Sequence, residues 1–216
     1  MTRILSEETS ISNQYISELR DVNVQNDSLR FRRNLERLGE IIGYEISKEL
    51  EYDLKEVNTP LGTSEAKILK EQPVLATILR AGLAMHRGLL NVFDKAQNAY
   101  VSAYRKHQDN GSGFDIKIEY LSSPPLDGRI VILSDPMLAT GSSMVLSYEA
   151  LLKKGTPKQI HVVSAISSKQ GLEYTRKHLP ANTKIWIATV DDELNDKAYI
   201  IPGLGDAGDL AFGEKD

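Results

Sequence analysis

The stretch that decides the fold runs Ile130-Val131-Ile132-Leu133-Ser134-Asp135-Pro136-Met137-Leu138-Ala139-Thr140-Gly141-Ser142-Ser143. An apolar run ends in an acidic residue, a short loop rich in Thr, Gly and Ser follows, and a helical pattern begins at Gly141. This order predicts a buried strand, a loop and a helix. Repeated along a chain, it builds a mostly parallel sheet that helices cover on both faces.

The residues of this loop suit a phosphorylated ligand, and they fit equally well a plain strand, turn and helix in which Ser and Gly only cap the helix. Open α/β sheets bind ligands at the carboxyl ends of their strands, and the unpaired N–H groups at a helix N-terminus suit a phosphate. Gly141 lets the backbone approach a ligand closely. The hydroxyls of Thr140, Ser142 and Ser143 are potential hydrogen-bond donors to it. Asp135 is placed to accept hydrogen bonds from the two hydroxyls of a ribose.

The rest of the chain repeats the alternation of apolar strands and amphipathic helices. A long helix with Asp27 as its N-cap comes first, since apolar residues recur at spacings of three and four. We expect one domain over residues 1–216, with an irregular, Gly-rich end from Asp191 onward. The predicted helices span 27–51, 82–93, 141–154 and 169–178; the predicted strands span 73–79, 129–133, 160–166 and 184–190, with a hairpin of 98–105 and 114–121.

Composition excludes several classes of protein. The 216 residues include no cysteine, which removes a disulfide framework and a cysteine-ligated zinc site. The net charge of −4 argues against a nucleic-acid-binding surface. Because the first residues turn acidic and no apolar run approaches membrane-spanning length, we expect a cytoplasmic protein without membrane partners. The histidines, His86, His107, His161 and His178, lack a metal-site spacing.

Four ordered motifs resemble the uracil phosphoribosyltransferases, of the type I phosphoribosyltransferase family. The segment Asp135-Pro136-Met137-Leu138-Ala139-Thr140-Gly141 is similar to their loop for phosphoribosyl pyrophosphate (PRPP), with a single acid after Ser134 where other branches have two. The segment Ile78-Leu79-Arg80-Ala81-Gly82-Leu83 resembles the pyrophosphate-binding loop of the family. Tyr104-Arg105 resembles the start of the family's flexible β-hairpin. The uracil-binding hood resembles residues 199–209, Tyr-Ile-Ile-Pro-Gly-Leu-Gly-Asp-Ala-Gly-Asp. The resemblance covers about Leu19 to Gly213.

The resemblance implies a fold, a reaction and site residues. The fold would be a mostly parallel central sheet flanked by helices, with a flexible β-hairpin and a hood from residues 191–216 and part of the N-terminal segment. The reaction would join uracil to PRPP, giving UMP and pyrophosphate. Mg²⁺ would be the cofactor, held mainly through PRPP and without direct protein ligation. The implied catalytic residues are Arg80, Arg105 and Asp206; PRPP would bind these three and Asp135, Pro136, Met137, Leu138, Ala139, Thr140, Gly141, Ser142 and Ser143; uracil would bind Ile200, Gly205, Asp206 and Ala207.

The hood also permits a physical argument for base selection. Uracil presents an acceptor, a donor and an acceptor along its O4, N3 and O2 edge, which backbone N–H, C=O and N–H groups can match. Cytosine reverses the first two groups and would leave buried polar atoms unpaired, at roughly 1–3 kcal/mol each. A site of this kind rejects the wrong base strongly.

Four departures from the family pattern stay open on the sequence alone. Ser142 and Ala84 stand where the family commonly has glycine, and Thr77 stands where it has proline. The segment Ser167-Ser168-Lys169-Gln170-Gly171 stands where the family usually has small residues, proline or glutamate before the glycine. If position 142 required a positive φ, serine would be strained there; if it did not, the hydroxyl would add a donor for a phosphate.

Two competing interpretations of function also stay open. A pyrimidine-sensing regulator that binds RNA is the alternative function, which the acidic balance disfavours; a purine or orotate transferase ranks below it. Family resemblance suggests a homodimer or higher homo-oligomer and leaves a GTP effector open.

Overall fold

The computed structural model describes residues 1–107 and 114–214, with the backbone alone for 103–107 and 114–117. From residue 74 to residue 191 the helices and strands follow the predicted order, whereas the strand Thr2–Ile4, the helix Ile11–Arg20 and the hairpin at 52–69 were not predicted. The strands are β1 (Thr2–Ile4), β2 (Tyr52–Thr59), β3 (Gly62–Leu69), β4 (Val74–Leu79), β5 (Gln97–His107), β6 (Phe114–Ser122), β7 (Ile130–Ser134), β8 (Met137–Leu138), β9 (Gln159–Ser168), β10 (Lys184–Asp191), β11 (Glu193–Leu194) and β12 (Ile200–Ile201). The helices are α1 (Ile11–Arg20), α2 (Ser28–Ser47), α3 (Leu83–Val92), α4 (Ser142–Leu151), α5 (Lys169–His178) and α6 (Ala207–Phe212).

An eight-stranded sheet forms the centre, in the order β1-β10-β9-β7-β4-β5-β6, with β8 added beside β9. Every pair in it is parallel except β5 with β6, which form the predicted antiparallel hairpin. Thr77 of β4 lies opposite Ser134 of β7. The carboxyl ends of these central strands therefore meet at one edge of the sheet, which is where ligands bind in open α/β folds.

Successive side chains of the central strands point to opposite faces, and helices bury both sets. On one face Leu75, Ile132 and Trp186 pack against α2 and α3; on the other Val74 and Val131 pack against α4. This two-sided burial explains why the strands are continuous apolar runs instead of alternating ones. The prediction of a mostly parallel sheet flanked by helices is confirmed.

The long helix at 27–51 is shorter than predicted. Asp27 caps α2, accepting a hydrogen bond from the Arg30 N–H at 3.0 Å, but the helix ends at Ser47. The next strand, β2, begins at Tyr52 and pairs with β3 in a hairpin whose residues are mostly exposed. The periodicity that marks α2 comes from its buried stripe, and Leu50 belongs to the turn that follows it.

The Gly-rich end is more regular than predicted. It contains β12 and the short helix α6, and its apolar residues Ile200, Leu204 and Ala207 are buried in the core with α2 and α3. It is therefore packed structure and no surface tail. In the part of the chain that the structure describes, no helix is both long and apolar enough to cross a membrane.

Candidate active site

The predicted site residues lie at the carboxyl edge of the parallel sheet. Arg80 directly follows β4, Asp135 directly follows β7, and the segment that contains Asp206 follows β10. Strand β9, between β7 and β10, ends at Ser168 on the same edge. Three of the four motifs are thus brought to one side of the molecule by the strand order alone.

The loop after β7 combines one strand-like step with a helix start. Residues 137–138 pair with β9 as β8, and Gly141 then takes a φ of +79° as the N-cap of α4. A Cβ on Gly141 would lie 2.7 Å from the Gly171 carbonyl oxygen, so both φ and close packing require glycine there. Asp135 is half-buried, and the Met137 N–H donates to its Oδ1 at 3.5 Å. A small concavity of about 30 Å³ is lined by Asp135, Met137, Leu138, Ala139, Thr140, Gly141, Ser143 and Met144.

Ser142 needs no unusual backbone conformation. The positive φ falls on Gly141, and Ser142 is the first helical residue of α4. Its N–H donates to Thr140 Oγ1 at 3.3 Å, and the Thr140 hydroxyl donates to Ser142 Oγ at 3.2 Å. Of the two outcomes left open by the sequence, the structure shows the unstrained one, in which serine adds a hydroxyl beside the loop.

Two serines that the motif analysis did not assign to the site support this loop from beneath. Ser168, at the end of β9, donates its hydroxyl to the Ala139 carbonyl at 2.5 Å, and the Ser167 hydroxyl is shared between the carbonyls of Ser168 at 2.8 Å and Leu138 at 3.2 Å. Ser168 also caps α5 by accepting from the Gly171 N–H at 2.8 Å. Both serines are fully buried, so they hold the backbone of the loop and do not face a ligand.

The second motif forms a tight turn between β4 and α3. The Gly82 N–H donates to the Ile78 carbonyl at 3.0 Å. A Cβ on Gly82 would collide with Thr77 Oγ1 and would lie 2.7 Å from the Ile78 carbonyl oxygen. Thr77 is completely buried and donates to the Ser134 carbonyl at 3.3 Å, which ties the end of β4 to the end of β7. The two departures Thr77 and Ala84 are therefore packing residues beside the turn, and Ala84 is buried in α3.

Arg80 connects this turn to the hood. Its Nη2 donates to Asp209 Oδ1 at 3.1 Å and to the Gly213 carbonyl at 2.9 Å. The buried Nε of Arg80 has no hydrogen-bond partner among the described residues. A guanidinium so placed keeps a donor for an anion at the strand end. Asp209 is a contact that the motif resemblance did not predict.

Asp206 is the N-cap of α6. Its Oδ1 accepts from the N–H groups of Gly208 at 2.8 Å and Asp209 at 3.0 Å. The side chain is half-buried, and the neighbouring Gly205 has a φ of +88°. Ile200 and Ala207, the other predicted uracil contacts, have buried side chains, which leaves their backbones as the groups that can meet a ligand.

An ion pair that the sequence did not predict anchors the hood. Arg20, the last residue of α1, makes a two-pronged contact to Asp191 at the end of β10, with N–O distances of 2.6 and 2.8 Å. Asp191 also accepts from the Gly203 N–H at 2.9 Å, and Arg20 donates to the Gly203 carbonyl at 2.9 Å. Burial raises the pKa of Asp191, but the hydrogen bonds from Arg20 and Gly203 outweigh it and hold the pKa below the ordinary value.

The hairpin motif is described only in part. The backbone of Arg105 lies in β5 opposite Ile116 of β6. The side chains of Tyr104 and Arg105 and the predicted hairpin turn at 109–113 lie outside the described residues. The hairpin itself is present, and the role of Arg105 stays a prediction.

Two buried histidines lie away from these groups. His86, in α3, contacts Asn98 Oδ1 through Nε2 at 2.8 Å, and burial lowers its pKa. His161, in β9, is 1% exposed and accepts a hydrogen bond from Trp186. Among the side chains of residues 1–102 and 118–214, no three of His, Cys, Asp or Glu are grouped to hold a metal ion.

The chain is similar to known proteins along nearly its whole length. The family model described as uracil phosphoribosyltransferase matches residues 6–214. A uracil phosphoribosyltransferase of Porphyromonas gingivalis (strain ATCC 33277) is 56% identical over 211 residues, covering 98% of this chain and 97% of that protein. One of Pyrococcus furiosus is 40% identical over 204 residues, covering 93% of this chain and 85% of that protein.

A solved structure is similar along the whole chain. The AQ2163 protein from Aquifex aeolicus superposes with a TM-score of 0.86 at 31% identity, covering 99% of this chain and 98% of that one. Both the sequence relatives and this structure span the hood as well as the sheet, so the similarity includes the segments that carry the site.

Proposed function

Because the chain belongs to the uracil phosphoribosyltransferase family, we propose that it transfers the phosphoribosyl group of PRPP to N1 of uracil at the carboxyl edge of its sheet. The products are UMP and pyrophosphate, and the reaction class is pentosyl transfer. The observation that carries the proposal is the convergence of Arg80, the 135–143 loop and the Asp206 hood on that one edge. The comparisons give no support to the RNA-binding regulator.

The 135–143 loop is proposed to bind the ribose 5-phosphate part of PRPP. Gly141 and the first residues of α4 supply N–H groups at a helix start, where a phosphate is favoured. Thr140, Ser142 and Ser143 supply hydroxyls, and Asp135 would accept from the ribose. Because the buried serines of β9 fix the carbonyls of this loop, its donors are oriented before the ligand arrives.

Arg80 and Arg105 are proposed to bind the pyrophosphate. As the bond from C1 of the ribose to pyrophosphate oxygen breaks, positive charge develops on the sugar and negative charge on the leaving group. Arginine side chains match phosphate oxygens with two parallel donors and stabilise that charge. The N1–C1 bond forms on the opposite side of the ribose, and the N1 proton leaves to solvent.

The hood is proposed to bind uracil through the backbones of Ile200, Gly205 and Ala207. Backbone groups have a fixed direction and do not titrate, so they can distinguish the O4, N3 and O2 edge of uracil from that of cytosine. Asp206 is placed between two of these contacts. Its cap leaves α6 fixed, and we propose that its carboxylate also reaches PRPP.

Mg²⁺ belongs to the same proposal, since phosphoribosyltransferases use it with PRPP. Magnesium at such sites is bound by substrate phosphates with only one or two carboxylates. The ion would be held mainly through PRPP, and the half-buried carboxylates of Asp135 and Asp206 would contact it through water, of which Mg²⁺ keeps several. It would supply positive charge that neutralises the pyrophosphate oxygens.

Self-association, a GTP effector and a cytoplasmic location complete the proposal. The β2–β3 hairpin exposes apolar side chains, with Leu54 68% and Leu61 fully accessible, and an isolated two-stranded hairpin is marginal in water. This supports a homo-oligomer in which another copy covers the hairpin. Activation by GTP rests on the family resemblance, and initial rates measured with and without GTP would test it.

Pyrophosphate release tests the reaction itself. Uracil, cytosine, hypoxanthine and orotate would be offered in parallel with PRPP and Mg²⁺. We expect release with uracil alone, and the product would be identified as UMP. Release with a purine or with orotate would overturn the base assignment, and no release with any base would overturn the enzyme assignment.

A further inference from the structure

We propose that Arg20 and Asp191 are positioning residues for the base, because together they clamp the backbone of Gly203 and so fix the hood. Neither residue belongs to the motifs for PRPP or uracil. The inference rests on the proposed binding of uracil to the hood. It predicts that a change in this pair alters the response to uracil far more than the response to PRPP.

The clamp engages both backbone groups of one residue. The Gly203 N–H donates to Asp191 Oδ2 at 2.9 Å, and the Gly203 carbonyl accepts from Arg20 Nη1 at 2.9 Å. Arg20 and Asp191 are in turn joined by two bonds of 2.6 and 2.8 Å. Asp191 is 7% exposed and Arg20 is 23% exposed, so solvent competes little for these bonds.

The position of Gly203 sets the course of the hood segment after it. Its φ is +62°, and a Cβ there would collide with the Ile200 carbonyl oxygen, so the chain turns back on itself at this residue. Leu204 is then buried, and two of the backbones proposed to bind uracil come within four residues after Gly203. A displacement of Gly203 would therefore shift the groups at Gly205 and Ala207 relative to the sheet.

The PRPP loop is held by different residues. Its carbonyls accept from Ser167 and Ser168, and the Asp135 N–H donates to the Val163 carbonyl at 3.0 Å. Arg20, by contrast, forms hydrogen bonds with Asp191, Gly203 and Gln25, none of which lies in that loop. The PRPP loop and the hood are thus supported separately. Asp206 is the hood residue proposed to reach PRPP as well, so the larger effect should fall on uracil.

The test compares Arg20→Lys with a matched control, Arg129→Lys. Arg129 also pairs with a carboxylate, Glu71 at 3.2 Å, and donates to a backbone carbonyl, that of Gln72 at 3.4 Å. It is 29% exposed, close to Arg20, but it precedes β7 at the opposite, amino edge of the sheet. Lysine keeps each charge and removes the planar set of guanidinium donors.

We expect Arg20→Lys to raise the KM for uracil about tenfold and to leave the KM for PRPP within about twofold. Arg129→Lys should lower the melting temperature to a similar extent and leave both KM values unchanged. Asp191→Asn, which keeps the shape and loses the charge, should resemble Arg20→Lys, and it carries the test if the lysine variant does not fold. Equal changes in both KM values, or an effect on melting temperature alone, would overturn the proposal.

A variant of the hood distinguishes a failure of the clamp inference from a failure of the proposal that uracil binds the hood. Ala207→Val adds two methyl groups at a residue that is 1% exposed within the hood. If it raises the uracil KM and Arg20→Lys does not, uracil binds the hood and only the clamp is wrong. If neither variant changes the uracil KM, the placement of uracil is wrong and the clamp inference falls with it. A wild-type protein that does not use uracil would refute the proposed function first.

Discussion

His161 should make the stability of this protein depend on pH in a window that can be calculated. Its imidazole is buried in β9, and the Trp186 indole N–H donates to Nδ1 at 3.1 Å with the two rings nearly parallel. Burial, and secondarily the charge of Lys184, lower the pKa of His161 from 6.5 to about 4, while Glu49 opposes this. The folded protein therefore keeps the ring neutral at a pH where the unfolded chain protonates it.

The direction and the magnitude of this change in stability follow from the linkage between protonation and folding. The folded-state pKa of His161 lies below its unfolded value. Its contribution to the free energy of unfolding is therefore complete above about pH 6.5 and is lost as the pH falls toward about 4. The difference between 6.5 and about 4 corresponds to about 3 kcal/mol in total, at 1.36 kcal/mol per pKa unit. Between about pH 7 and about pH 5, the same relation gives a loss of about 2 kcal/mol.

Urea unfolding at about pH 7 and at about pH 5 would measure this loss of unfolding free energy. We expect His161→Gln to lose about 2 kcal/mol less than the wild type between about pH 7 and about pH 5, since glutamine does not titrate. His178→Gln, which replaces an exposed histidine of α5, is the control and should behave as the wild type does. The buried His86 contributes in the same direction in all three proteins, so the difference isolates His161. The reasoning is refuted if His161→Gln keeps the full dependence on pH.

Three further changes test the supports of the site. Ser168→Ala removes the α5 cap and the donor to the Ala139 carbonyl, and it should raise the KM for PRPP about tenfold, measured by initial rates, with uracil KM unchanged. Gly82→Ala places a Cβ 2.7 Å from the Ile78 carbonyl oxygen, so we expect pyrophosphate inhibition to weaken at least about tenfold and unfolding free energy to fall by about 2 kcal/mol. Asp206→Asn keeps a cap oxygen for α6 and loses the charge, so kcat should fall about a hundredfold with an unchanged melting temperature.

The elements that sequence predicted well are those whose burial is visible as a local pattern. The strands ending near Leu79 and Ser134 are continuous apolar runs because both of their faces are covered, and α5 was predicted at its observed limits. The loop after β7 was also accessible, since its glycine, hydroxyls and acid lie within nine residues of sequence. What the sequence left open at Ser142 depended on one backbone angle.

The elements that sequence missed have no such local pattern. The β2–β3 hairpin is exposed on both faces, so no alternation between apolar and polar residues marks it. Helix α6 has only six residues and depends on the Asp206 cap and on core packing. The Arg20–Asp191 pair joins residues 171 positions apart. An acid at the very end of the predicted strand at 184–190 was the one available signal.

The hood needs its own anchoring contacts because its backbone is proposed to select the base. Backbone donors and acceptors distinguish uracil from cytosine only if their positions are fixed to within a hydrogen-bond length, because a mobile loop could pair with either base. The hood is a short, Gly-containing segment with little regular structure to hold it. Anchors must then come from distant parts of the chain, and the described contacts supply them: α1 and β10 hold Gly203, and Arg80 reaches Asp209, while the Asp206 carboxylate adds a local cap to α6. Arg80 alone joins the pyrophosphate turn to the hood among these contacts, so it is the residue through which binding of one substrate would be felt by the other.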